Sequence, residues 1–597
     1  MSETLVRIFL DAVERRGAGA MFVRKQAGAW ESISADRALA DVESLALGLA
    51  ALGVTSGDRV GLLAENRYEW AVSDLAVLGL GAITVPIYPT LTAHQCEHVL
   101  ADSQAKVAIV STPAQLEKLG QVRSALPALA SLVVMDGAPA GDARVRAFAA
   151  VLEDGGRRRA ADPGAYRRSA DALQRDGVAT IIYTSGTTGE PKGAMLTHGN
   201  ICSNVEAGLK VVALDRHRTC LSFLPLCHIF ERMAGQFAML AAGVVIAYAQ
   251  GIDTVAADAV EIHPTVLIGV PRFFEKVYAR VMDNARSQPP LRRMIFGWGV
   301  RVGTRAARER FAGRQPGGWL ALQASIADRL VGAKVRERVG GLLRLCVSGG
   351  APLAPKVMEF FFAIGIPVVE GYGLTETSPV ICLNPPGREK PGSVGPPVPG
   401  VEVRIGDEGE ILTRGPHVMR GYFRNEEATA AVLRDGWFHT GDVGRIDADG
   451  YLVITDRLKD LLVTAGGKKV APQPLEAFLK RSRWISEAVM LGDRRPYCVA
   501  LIVPNFVNLE TRAKQAGWPD GTRAALLAHP EVRALYQREI DALNAERAPF
   551  EQIKRFALLD RELSEAAGEL TPTLKVRRRV VSTKFENVIE SLYAAAS

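Results

Sequence analysis

Short apolar runs rich in β-branched residues recur between residues 58 and 370, and segments with helical periodicity separate them. Such alternation is typical of parallel βαβ layers, because a parallel connection needs a crossover helix. The pattern therefore predicts an α/β fold with largely parallel sheets. The predicted strands are residues 60–63, 83–88, 106–110, 132–135, 179–183, 244–249, 265–270 and 345–347.

The pattern of strand, turn and helix signals changes twice after this region. Closely spaced strand and turn patterns follow Gly392 and predict a small barrel-like β subdomain over about residues 385–455. The last part mixes strands such as residues 499–503 with Ala/Leu/Arg-rich helices, which predicts a small α+β domain. We therefore expect an N-terminal domain over 1–456 and a C-terminal domain over 457–597.

Three other segments affect the fold prediction. Residues 75–94 and 233–252 carry no charge over about the length of a membrane span. Prolines interrupt the first, and Gly243 divides the second into a helix-like half and a β-branched run, so a buried helix followed by a strand is the better interpretation. Residues 137–177 lack a strong apolar period and predict a surface excursion without chemistry.

Composition narrows the class of protein. The 597 residues are 48% hydrophobic and 23% charged, which is typical of a globular protein and excludes disorder, collagen and a membrane bundle. Seven cysteines without a C-x-x-C pair predict reduced thiols and no structural zinc. The N-terminus has neither a basic leader nor an apolar signal core, so we expect a cytoplasmic protein.

The net charge of +7 is concentrated in one segment. Residues 286–344 contain 13 Lys and Arg residues against three acidic ones. Two interpretations stay open: a solvated face of surface helices, or peripheral contact with anionic lipid at the inner face of a membrane. We expect no nucleic acid partner, because no recognition motif accompanies the charge. The apolar residues among the charges are Met294, Ile295, Phe296, Trp298, Phe311 and Trp319.

The sharpest motif is TIIYTSGTTGEPKGAMLTHGN at residues 180–200, where an apolar strand runs into glycines and hydroxyls before Lys192. Glycines allow close backbone approach, hydroxyls donate hydrogen bonds and lysine supplies charge, as a phosphate chain requires. It differs from a Walker A loop at Pro191 and Gly193, and a flexible turn is the alternative. The candidate phosphate contacts are Thr184, Ser185, Gly186, Thr187, Thr188, Gly189 and Lys192.

Two further motifs suit a nucleotide. In VSGGAPL, a predicted strand ends at Gly349 and Gly350, so that backbone groups can approach a planar base, and the ring of Tyr372 can stack on it. A tight turn and a core tyrosine are the alternative. Asp442 is predicted in a turn, where its carboxylate can accept hydrogen bonds from ribose hydroxyls with Arg457 beside it.

Five motifs and the loop at 180–200 together resemble the adenylate-forming acyl-activating superfamily, in the order of that family. They are LPLCHIFER (224–232), EGYGLTETSP (370–379), DGWFHTGDVG (435–444), DRLKDLLVTAGGKKVAPQPLE (456–476) and LTPTLKVRR (570–578). The resemblance implies activation of a carboxylate by ATP and Mg²⁺ and a mobile C-terminal lid.

The resemblance also implies roles for individual residues. Thr375 is expected at the α-phosphate, Lys459 at the hinge of the lid, and Lys575 at the reacting carboxylate. Magnesium is assigned to Glu376 and Thr184. The remaining assignments are Gly349, Gly350, Ala351, Tyr372 and Gly373 to adenine, Asp442 and Arg457 to ribose, Gly466, Gly467 and Lys468 to coenzyme A, and His228 to the thiol or the acyl entrance.

Two features resemble the long-chain acyl-CoA synthetases. LPLCHIFER is closer to the fatty acyl branch than to the amino-acid branch, and Thr573 and Leu574 replace the common S-G before Lys575. Residues 265–274, expected to line the acyl site, are largely apolar, as an alkyl chain requires. The predicted activity is an AMP-forming ligase of long-chain fatty acids and coenzyme A.

Two alternatives to this activity stay open. A fatty acyl-AMP ligase would deliver its adenylate to a separate carrier protein. A non-catalytic, membrane-associated lipid-binding module would depend on residues 286–344. A homodimer is a further open hypothesis.

Overall fold

The computed structural model describes residues 3–137, 141–142, 144–184, 191–458, 460–466, 468–518, 522–545, 547–571 and 576–594. The chain forms two compact units: Met1–Arg404 with Leu412–Thr440 and Ile446–Val453, and Ile405–Ile411 with Gly441–Arg445 and Ile454–Ser597. The α/β fold, with large parallel sheets and a smaller C-terminal α+β part, is confirmed. The domain boundary after residue 456 stays a prediction.

Most helices bury an apolar side against the sheets or one another. The helices that begin before residue 300 are α1 (Leu5–Arg16), α2 (Ala35–Ala51), α3 (Tyr68–Gly79), α4 (Ala93–Ser103), α5 (Pro113–Gly120), α6 (Phe148–Ala161), α7 (Ala165–Asp171), α8 (His198–Val211), α9 (Ala238–Ala242), α10 (Val255–Ile262), α11 (Pro271–Arg286) and α12 (Pro290–Phe311). The later helices are α13 (Gly318–Ala327), α14 (Ala333–Glu337), α15 (Pro355–Ala363), α16 (Glu426–Val432), α17 (Pro472–Leu479), α18 (Phe506–Ala516), α19 (Arg523–Ala528), α20 (Pro530–Asn544), α21 (Arg578–Lys584) and α22 (Glu586–Ala594).

The strands follow the predicted apolar runs closely. Those up to residue 270 are β1 (Ala20–Gln26), β2 (Ala29–Ser34), β3 (Arg59–Leu63), β4 (Ile83–Ile87), β5 (Val107–Val110), β6 (Ser131–Val134), β7 (Val145–Ala147), β8 (Val178–Thr184), β9 (Lys192–Thr197), β10 (Thr219–Ser222), β11 (Val245–Tyr248) and β12 (Val266–Gly269). The later strands are β13 (Leu345–Ser348), β14 (Val368–Gly373), β15 (Val380–Leu383), β16 (Glu402–Ile405), β17 (Glu410–Arg414), β18 (Gly421–Tyr422), β19 (Leu433–Arg434), β20 (Trp437–Ile446), β21 (Leu452–Arg457), β22 (Leu462–Val463), β23 (Lys469–Val470), β24 (Ile485–Leu491), β25 (Cys498–Pro504) and β26 (Ile553–Leu558).

Two eight-stranded sheets of described residues form the first unit, in the orders β15-β14-β13-β12-β10-β11-β1-β2 and β18-β9-β8-β4-β3-β5-β6-β7. The central pairs, such as β12 with β13 and β3 with β5, are parallel. Antiparallel pairs occur near the ends of the sheets, where β14 meets β15 and β8 meets β9. The predicted parallel layers are therefore confirmed.

The predicted surface excursion at 137–177 is wrong. It contains α6, which packs on α2 through glycines: a Cβ at Gly155 would lie 1.7 Å from the backbone oxygen of Ser44, and Gly48 faces the same crossing. The following helix α7 places Tyr166 in the core, with 1% of its surface exposed. Two backbones meeting at small residues leave no apolar stripe, so hydrophobic periodicity could not reveal this contact.

Both charge-free stretches lie inside the α/β framework. Residues 75–94 run from the end of α3 through β4, and residues 233–252 contain most of a π-helical segment (Glu231–Phe237), α9 and β11. The predicted helix followed by a strand is confirmed for the second. No helix among the described residues has the length and apolarity to cross a membrane. All seven cysteines are buried free thiols, as predicted.

The predicted β subdomain is a five-stranded sheet, in the order β16-β17-β20-β19, with β21 paired to β20. The C-terminal part contains the β24-β25-β26 sheet and the β22–β23 pair. Its core includes Val470, Ile502 and Tyr536. This mixture of strands and helices matches the predicted α+β class.

Candidate functional site

Two neighbouring strands of the first sheet end in the predicted adenine contacts. β13 and β14 are parallel, with Ser348 opposite Glu370. Gly349, Gly350 and Ala351 follow β13 directly, and β14 ends with Tyr372 and Gly373. The carboxyl ends of parallel strands are the usual place for ligands in α/β sheets. The fold therefore brings the two predicted adenine segments to one edge of the sheet.

The turn after β13 requires glycine and is held by a buried acid. A Cβ at Gly349 would lie 2.9 Å from the ring of Phe230, and Gly350 has a φ of +83°. The backbone nitrogen of Leu353 donates a hydrogen bond of 2.8 Å to Glu370, and burial raises the pKa of Glu370 to about 8. Sequence reasoning missed Glu370, although an acid at the end of an apolar strand was a usable signal.

Glu376 lies in a 3₁₀ turn, Thr375–Thr377, just beyond β14. Both Thr375 and Glu376 are partly exposed. The hydroxyl of Tyr422 donates a hydrogen bond of 2.9 Å to Oε1 of Glu376, and the backbone nitrogen of Met419 donates to the Glu376 carbonyl at 2.8 Å. The segment that ends in β18 thus fixes the position of the predicted magnesium ligand.

Tyr422 also connects Glu376 to the predicted phosphate lysine. The Nζ atom of Lys192 lies 5.4 Å from the centre of the Tyr422 ring, a cation–π distance. The strands that carry them, β9 and β18, are paired antiparallel. Burial raises the pKa of Tyr422, so its phenol stays protonated and keeps donating. Sequence reasoning missed Tyr422, because its contact with Lys192 joins strands that lie more than 200 residues apart in the chain.

The loop between Lys192 and Thr184 is the least described part of the site. Thr184 pairs with Lys192 across the β8–β9 hairpin, and α8 begins after the cap at Thr197. Other predicted residues lie outside the described residues, so their roles stay predictions. They are Ser185, Gly186, Thr187, Thr188, Gly189, Lys459, Gly467 and Lys575.

His228 lies on the loop that follows β10. The backbone nitrogen of Phe230 donates a hydrogen bond of 3.1 Å to Nδ1 of His228, and the ring of Phe230 faces the turn at Gly349. The histidine is half-buried. The structure therefore places the His228 loop against one of the predicted adenine segments.

A buried polar network begins where this loop ends. Arg232 contacts Asp74 with its Nη2 and Nε atoms, at 2.5 and 2.8 Å, and both side chains are fully buried. Ser222, at the end of β10, donates a hydrogen bond of 2.5 Å to Glu231. Burial raises the pKa of Glu231 to about 8. The network fixes both ends of the His228 loop, and sequence reasoning missed it.

The segment predicted to line the acyl site is apolar and aromatic. Phe274, on α11, is 1% exposed and meets Phe361 edge-on at 5.4 Å between ring centres. The partly buried Phe273 lies 4.8 Å from Phe223. The apolar character of residues 265–274 is confirmed for the strand and these rings. Their contact with an acyl chain stays a prediction.

The second unit contains the predicted ribose pair. The Nε atom of Arg457 lies 3.0 Å from Oδ1 of Asp442, as expected. The turn predicted for Asp442 is wrong: it lies within β20, directly after Gly441, whose φ of +69° bends the strand. Asp456 accepts from the backbone nitrogen of Arg457 at 2.7 Å, and burial raises the pKa of Asp456 to about 6. Sequence reasoning missed this supporting carboxyl.

The predicted coenzyme A loop closes on Thr464. The backbone nitrogen of Thr464 donates to the carbonyl of Lys468 at 3.0 Å, and the Lys468 nitrogen donates back to Oγ1 at 3.3 Å. Gly466 and Lys468 are exposed. On either side of the undescribed residues 572–575, Leu570 and Val576 form an isolated β-bridge. The resemblance assigns Lys468 to the first of these segments, and its assignment of Lys575 stays a prediction.

Comparison with known proteins identifies the class of enzyme. The family model "AMP-binding enzyme" matches residues 9–423, and the "AMP-binding enzyme C-terminal domain" matches residues 459–597. The protein belongs to the AMP-binding enzyme family. The resemblance found in the motifs is thus confirmed.

Particular relatives and solved structures extend this result. The chain is 38% identical over 574 residues to the long-chain-fatty-acid–CoA ligase FadD15 of Mycobacterium bovis, covering 95% of this chain and 93% of that one. It is 31% identical to the long-chain-fatty-acid–CoA ligase ACSBG1 of Homo sapiens, covering 99% and 85%. The fold matches the anthranilate CoA ligase AuaEII, solved with anthranoyl-AMP, at a TM-score of 0.75, 21% identity and coverage of 99% and 100%.

Proposed function

We propose that the protein is an AMP-forming ligase that joins a long-chain fatty acid to coenzyme A. The observation that carries the proposal is the contact chain from Lys192 through Tyr422 to Glu376, beside the strand-end turns at Gly350 and Tyr372. It holds a cation and a carboxylate where the family motifs would bind a nucleotide. Full-length relatives named as long-chain-fatty-acid–CoA ligases support the substrate class.

In the first half-reaction, a carboxylate oxygen of the fatty acid attacks the α-phosphorus of ATP. The bond from this phosphorus to the bridging oxygen breaks, and pyrophosphate leaves. We assign the phosphate chain to Lys192 and the 184–189 loop, and the α-phosphate to Thr375. We assign the ribose to the Asp442–Arg457 pair, whose oxygen and nitrogen atoms suit vicinal hydroxyls. Lys575 is proposed to stabilise the growing charge on the reacting oxygens.

Magnesium fits this arrangement as a phosphate-bound ion. The described residues contain no cluster of three or more His, Cys, Asp or Glu side chains suited to a metal. Mg²⁺ is usually held by one or two carboxylates, substrate phosphates and water, so Glu376 with Thr184 is a sufficient donor set. When bound there, the ion would neutralise charge on the phosphates.

In the second half-reaction, the thiol of coenzyme A attacks the carbonyl carbon of acyl-AMP. The thioester forms and AMP leaves, with the thiol proton released. The mixed anhydride is already activated, so the protein needs no nucleophile of its own. We assign the approach of coenzyme A to Gly466, Gly467 and Lys468, and the orientation of the thiol or acyl group to His228. The C-terminal domain is proposed to act as a lid that exchanges Lys575 for this loop, hinged at Lys459.

A thioester assay tests this function against a fatty acyl-AMP ligase. The purified protein, given ATP, Mg²⁺, palmitate and coenzyme A, should form palmitoyl-CoA, AMP and pyrophosphate in equal amounts. Accumulation of palmitoyl-AMP without thioester would contradict the proposal and favour transfer to a carrier protein. Failure to release pyrophosphate in response to palmitate would contradict both the CoA ligase and the fatty acyl-AMP ligase.

Lysine variants test the site assignments. Lys192→Ala and Lys575→Ala should lower fatty-acid-dependent pyrophosphate release by roughly 100-fold or more, as expected when a group that stabilises transition-state charge is removed. The matched control is Lys210→Ala, which removes an exposed lysine paired with Glu206 on α8. Unchanged release by a folded Lys192→Ala variant would show that the assignment is wrong.

A further inference from the structure

Helix α13 is unusual because apolar side chains lie on its solvent side. Trp319, Leu322, Ile326 and Leu330, which we call the α13 stripe, are 70%, 51%, 42% and 46% exposed. They are spaced three and four residues apart, so they share one side of the helix and of the π-helical turn that continues it. Isolated exposed apolar residues are common, but a contiguous stripe indicates an interaction surface.

The inner side of this helical hairpin explains why the stripe faces outward. Helix α12 packs on α15, where a Cβ at Gly303 would lie 2.4 Å from the carbonyl of Ala363. The π-helical turn packs back on α12, where a Cβ at Gly299 would lie 2.6 Å from Val331. Helix α13 is therefore the outermost layer, and Ala327 is its one buried residue.

Positive charge continues the stripe along the same side. Lys334 and Arg338 follow Leu330 at intervals of four residues and are exposed, as is Arg329. Among the described residues, none of these three has an ion-pair partner. Of the three acids in residues 286–344, Asp328 is paired with Arg336 and Glu309 with Arg314, and the third, Glu337, is exposed between Lys334 and Arg338. The surface around the stripe therefore carries an excess of positive charge.

We propose that the α13 stripe, with Arg329, Lys334 and Arg338, is a docking surface for a membrane that contains anionic lipids. Tryptophan and aliphatic side chains enter the interface between headgroups and acyl chains, and basic residues beside them are attracted to anionic headgroups. This decides between the two interpretations of the basic segment in favour of lipid. The docking surface is independent of the proposed reaction, because it lies on helices that carry none of the assigned site residues.

Charge argues against a second copy as the occupant of this surface. In a two-fold dimer, the same patch faces itself, so the surface must be self-complementary. Two α13 stripes meeting in this way would bring Arg329, Lys334 and Arg338 of both copies together, an excess of positive charge over the exposed Glu337 of each copy. An anionic membrane satisfies the apolar and the cationic parts of the surface at once.

Vesicle sedimentation of the full-length protein tests the proposal without ATP or fatty acid, so its failure is distinguishable from failure of the proposed function. The protein should pellet with vesicles of phosphatidylcholine and phosphatidylglycerol at low salt, and at least about tenfold more weakly with phosphatidylcholine alone or at high salt. Equal binding to both kinds of vesicle, or binding insensitive to salt, would overturn the proposal.

Two sets of variants localise the binding. Trp319→Ser/Leu322→Ser/Ile326→Ser and Arg329→Glu/Lys334→Glu/Arg338→Glu should each weaken vesicle binding by about tenfold or more. Their side chains are exposed, so thermal unfolding should be unchanged. The control, Ile252→Ser/Val507→Ser, removes apolar residues that are 56% and 75% exposed elsewhere and should bind like the wild type.

Tryptophan fluorescence gives a second readout. Brominated lipids should quench the wild type more than the Trp319→Phe variant, because Trp319 enters the interface. Equal quenching of the two proteins would contradict insertion of α13. Sedimentation velocity tests whether a second copy of the protein binds the α13 stripe instead. If the protein self-associates, the serine variant abolishes this association and no vesicle binding is seen, the stripe is a dimer interface and the membrane proposal is wrong.

Discussion

Two of the aspartate–arginine pairs in the protein, Asp74–Arg232 and Asp442–Arg457, have different surroundings. In the first unit, Asp74 and Arg232 are both fully buried and meet at 2.5 Å. In the second, Asp442 and Arg457 meet at 3.0 Å, and 37% of the arginine side chain is exposed. The same two residue types therefore serve two different environments.

The partners of each pair explain the difference. Asp74 also accepts hydrogen bonds from Thr84 at 2.8 Å and from Gln236 at 3.4 Å, so protein groups surround its carboxylate. Arg457 reaches solvent, where a ligand hydroxyl can replace water. A fully enclosed pair can hold a loop in position, whereas a pair with one open side can bind substrate. Four substitutions test this distinction.

Breaking the enclosed pair should have the largest effect. Asp74→Asn leaves Arg232 as a buried charge without its counterion, so we expect a loss of about 3–5 kcal/mol in the stability of the first unit. Urea denaturation measures this loss. The control is Asp162→Asn, at an exposed pair with Arg168, with an expected change within about 1 kcal/mol. Equally small losses of stability in the Asp74→Asn and Asp162→Asn variants would show that the enclosed pair does not hold the fold more strongly than an exposed pair.

Breaking the open pair should weaken nucleotide binding and leave the fold intact. Asp442→Asn removes the charged acceptor that we propose for the ribose hydroxyls, worth about 1.5–3 kcal/mol, so the KM for ATP should rise by roughly 10- to 100-fold. Steady-state kinetics at saturating palmitate measures it. Asp449→Asn, at an exposed carboxylate, is the matched control. A large loss of stability in Asp442→Asn with an unchanged KM for ATP would show that the Asp442–Arg457 pair also has a structural role and contradict its role in binding.

Glu370 is a buried acid that has no ion-pair partner among the described residues, and it extends the comparison to an acid without a counterion. Burial raises the pKa of Glu370 to about 8 from an ordinary 4.5. The folded state therefore holds this proton more tightly than the unfolded state, and stability declines as pH rises between these two values. Glu370→Gln cannot ionise, so it should match the wild type near the lower value and exceed its stability by more than about 1 kcal/mol above the upper one.

Thermal unfolding across this pH range gives the measurement for Glu370→Gln. Glu359→Gln is the control, because its exposed partner Arg308 leaves this carboxylate accessible to screening by salt. A stability difference that stays constant with pH would contradict the raised pKa of Glu370.

The smallest effect is expected at the tyrosine beside Lys192. Tyr422→Phe keeps the ring under the lysine and removes the hydrogen bond to Glu376, worth about 0.5–1.5 kcal/mol. The rate of adenylation should fall by roughly 2- to 10-fold, with the KM for palmitate unchanged. The control, Tyr451→Phe, removes a hydroxyl bonded to the Arg388 carbonyl. A fall of more than about 100-fold would give the Tyr422 hydroxyl a direct role in the chemistry.

Sequence patterns predicted the parts of the fold that depend on apolar periodicity. The strands that end at Ser348 and Thr184 were recognisable because buried parallel strands are continuous apolar runs. Helix α6 was not, because its contact with α2 depends on glycines that allow two backbones to approach. The sequence around Asp442 predicts a turn where the structure has a bent strand, because a glycine that adopts positive φ gives the same sequence signal in both.

Some residues of the candidate site could likewise be predicted from the sequence, and others could not. Family motifs indicated Lys192, Glu376 and Asp442, whose residue types and order are distinctive. Tyr422 was not predicted because its contact with Lys192 joins strands that are distant along the chain, which one sequence does not reveal, whereas Glu370 had a usable signal as an acid that follows an apolar run. The outward position of Trp319 also required the structure, because helical spacing alone predicts an apolar side without saying which way it faces.

Exchange of labelled pyrophosphate into ATP, without coenzyme A, tests the central claim most directly. Reversible formation of acyl-AMP should make this exchange depend on palmitate in the wild-type protein, and Lys192→Ala should abolish it while Lys210→Ala preserves it. Exchange that proceeds equally without palmitate, or that survives loss of Lys192, would contradict adenylation at the strand-end loops.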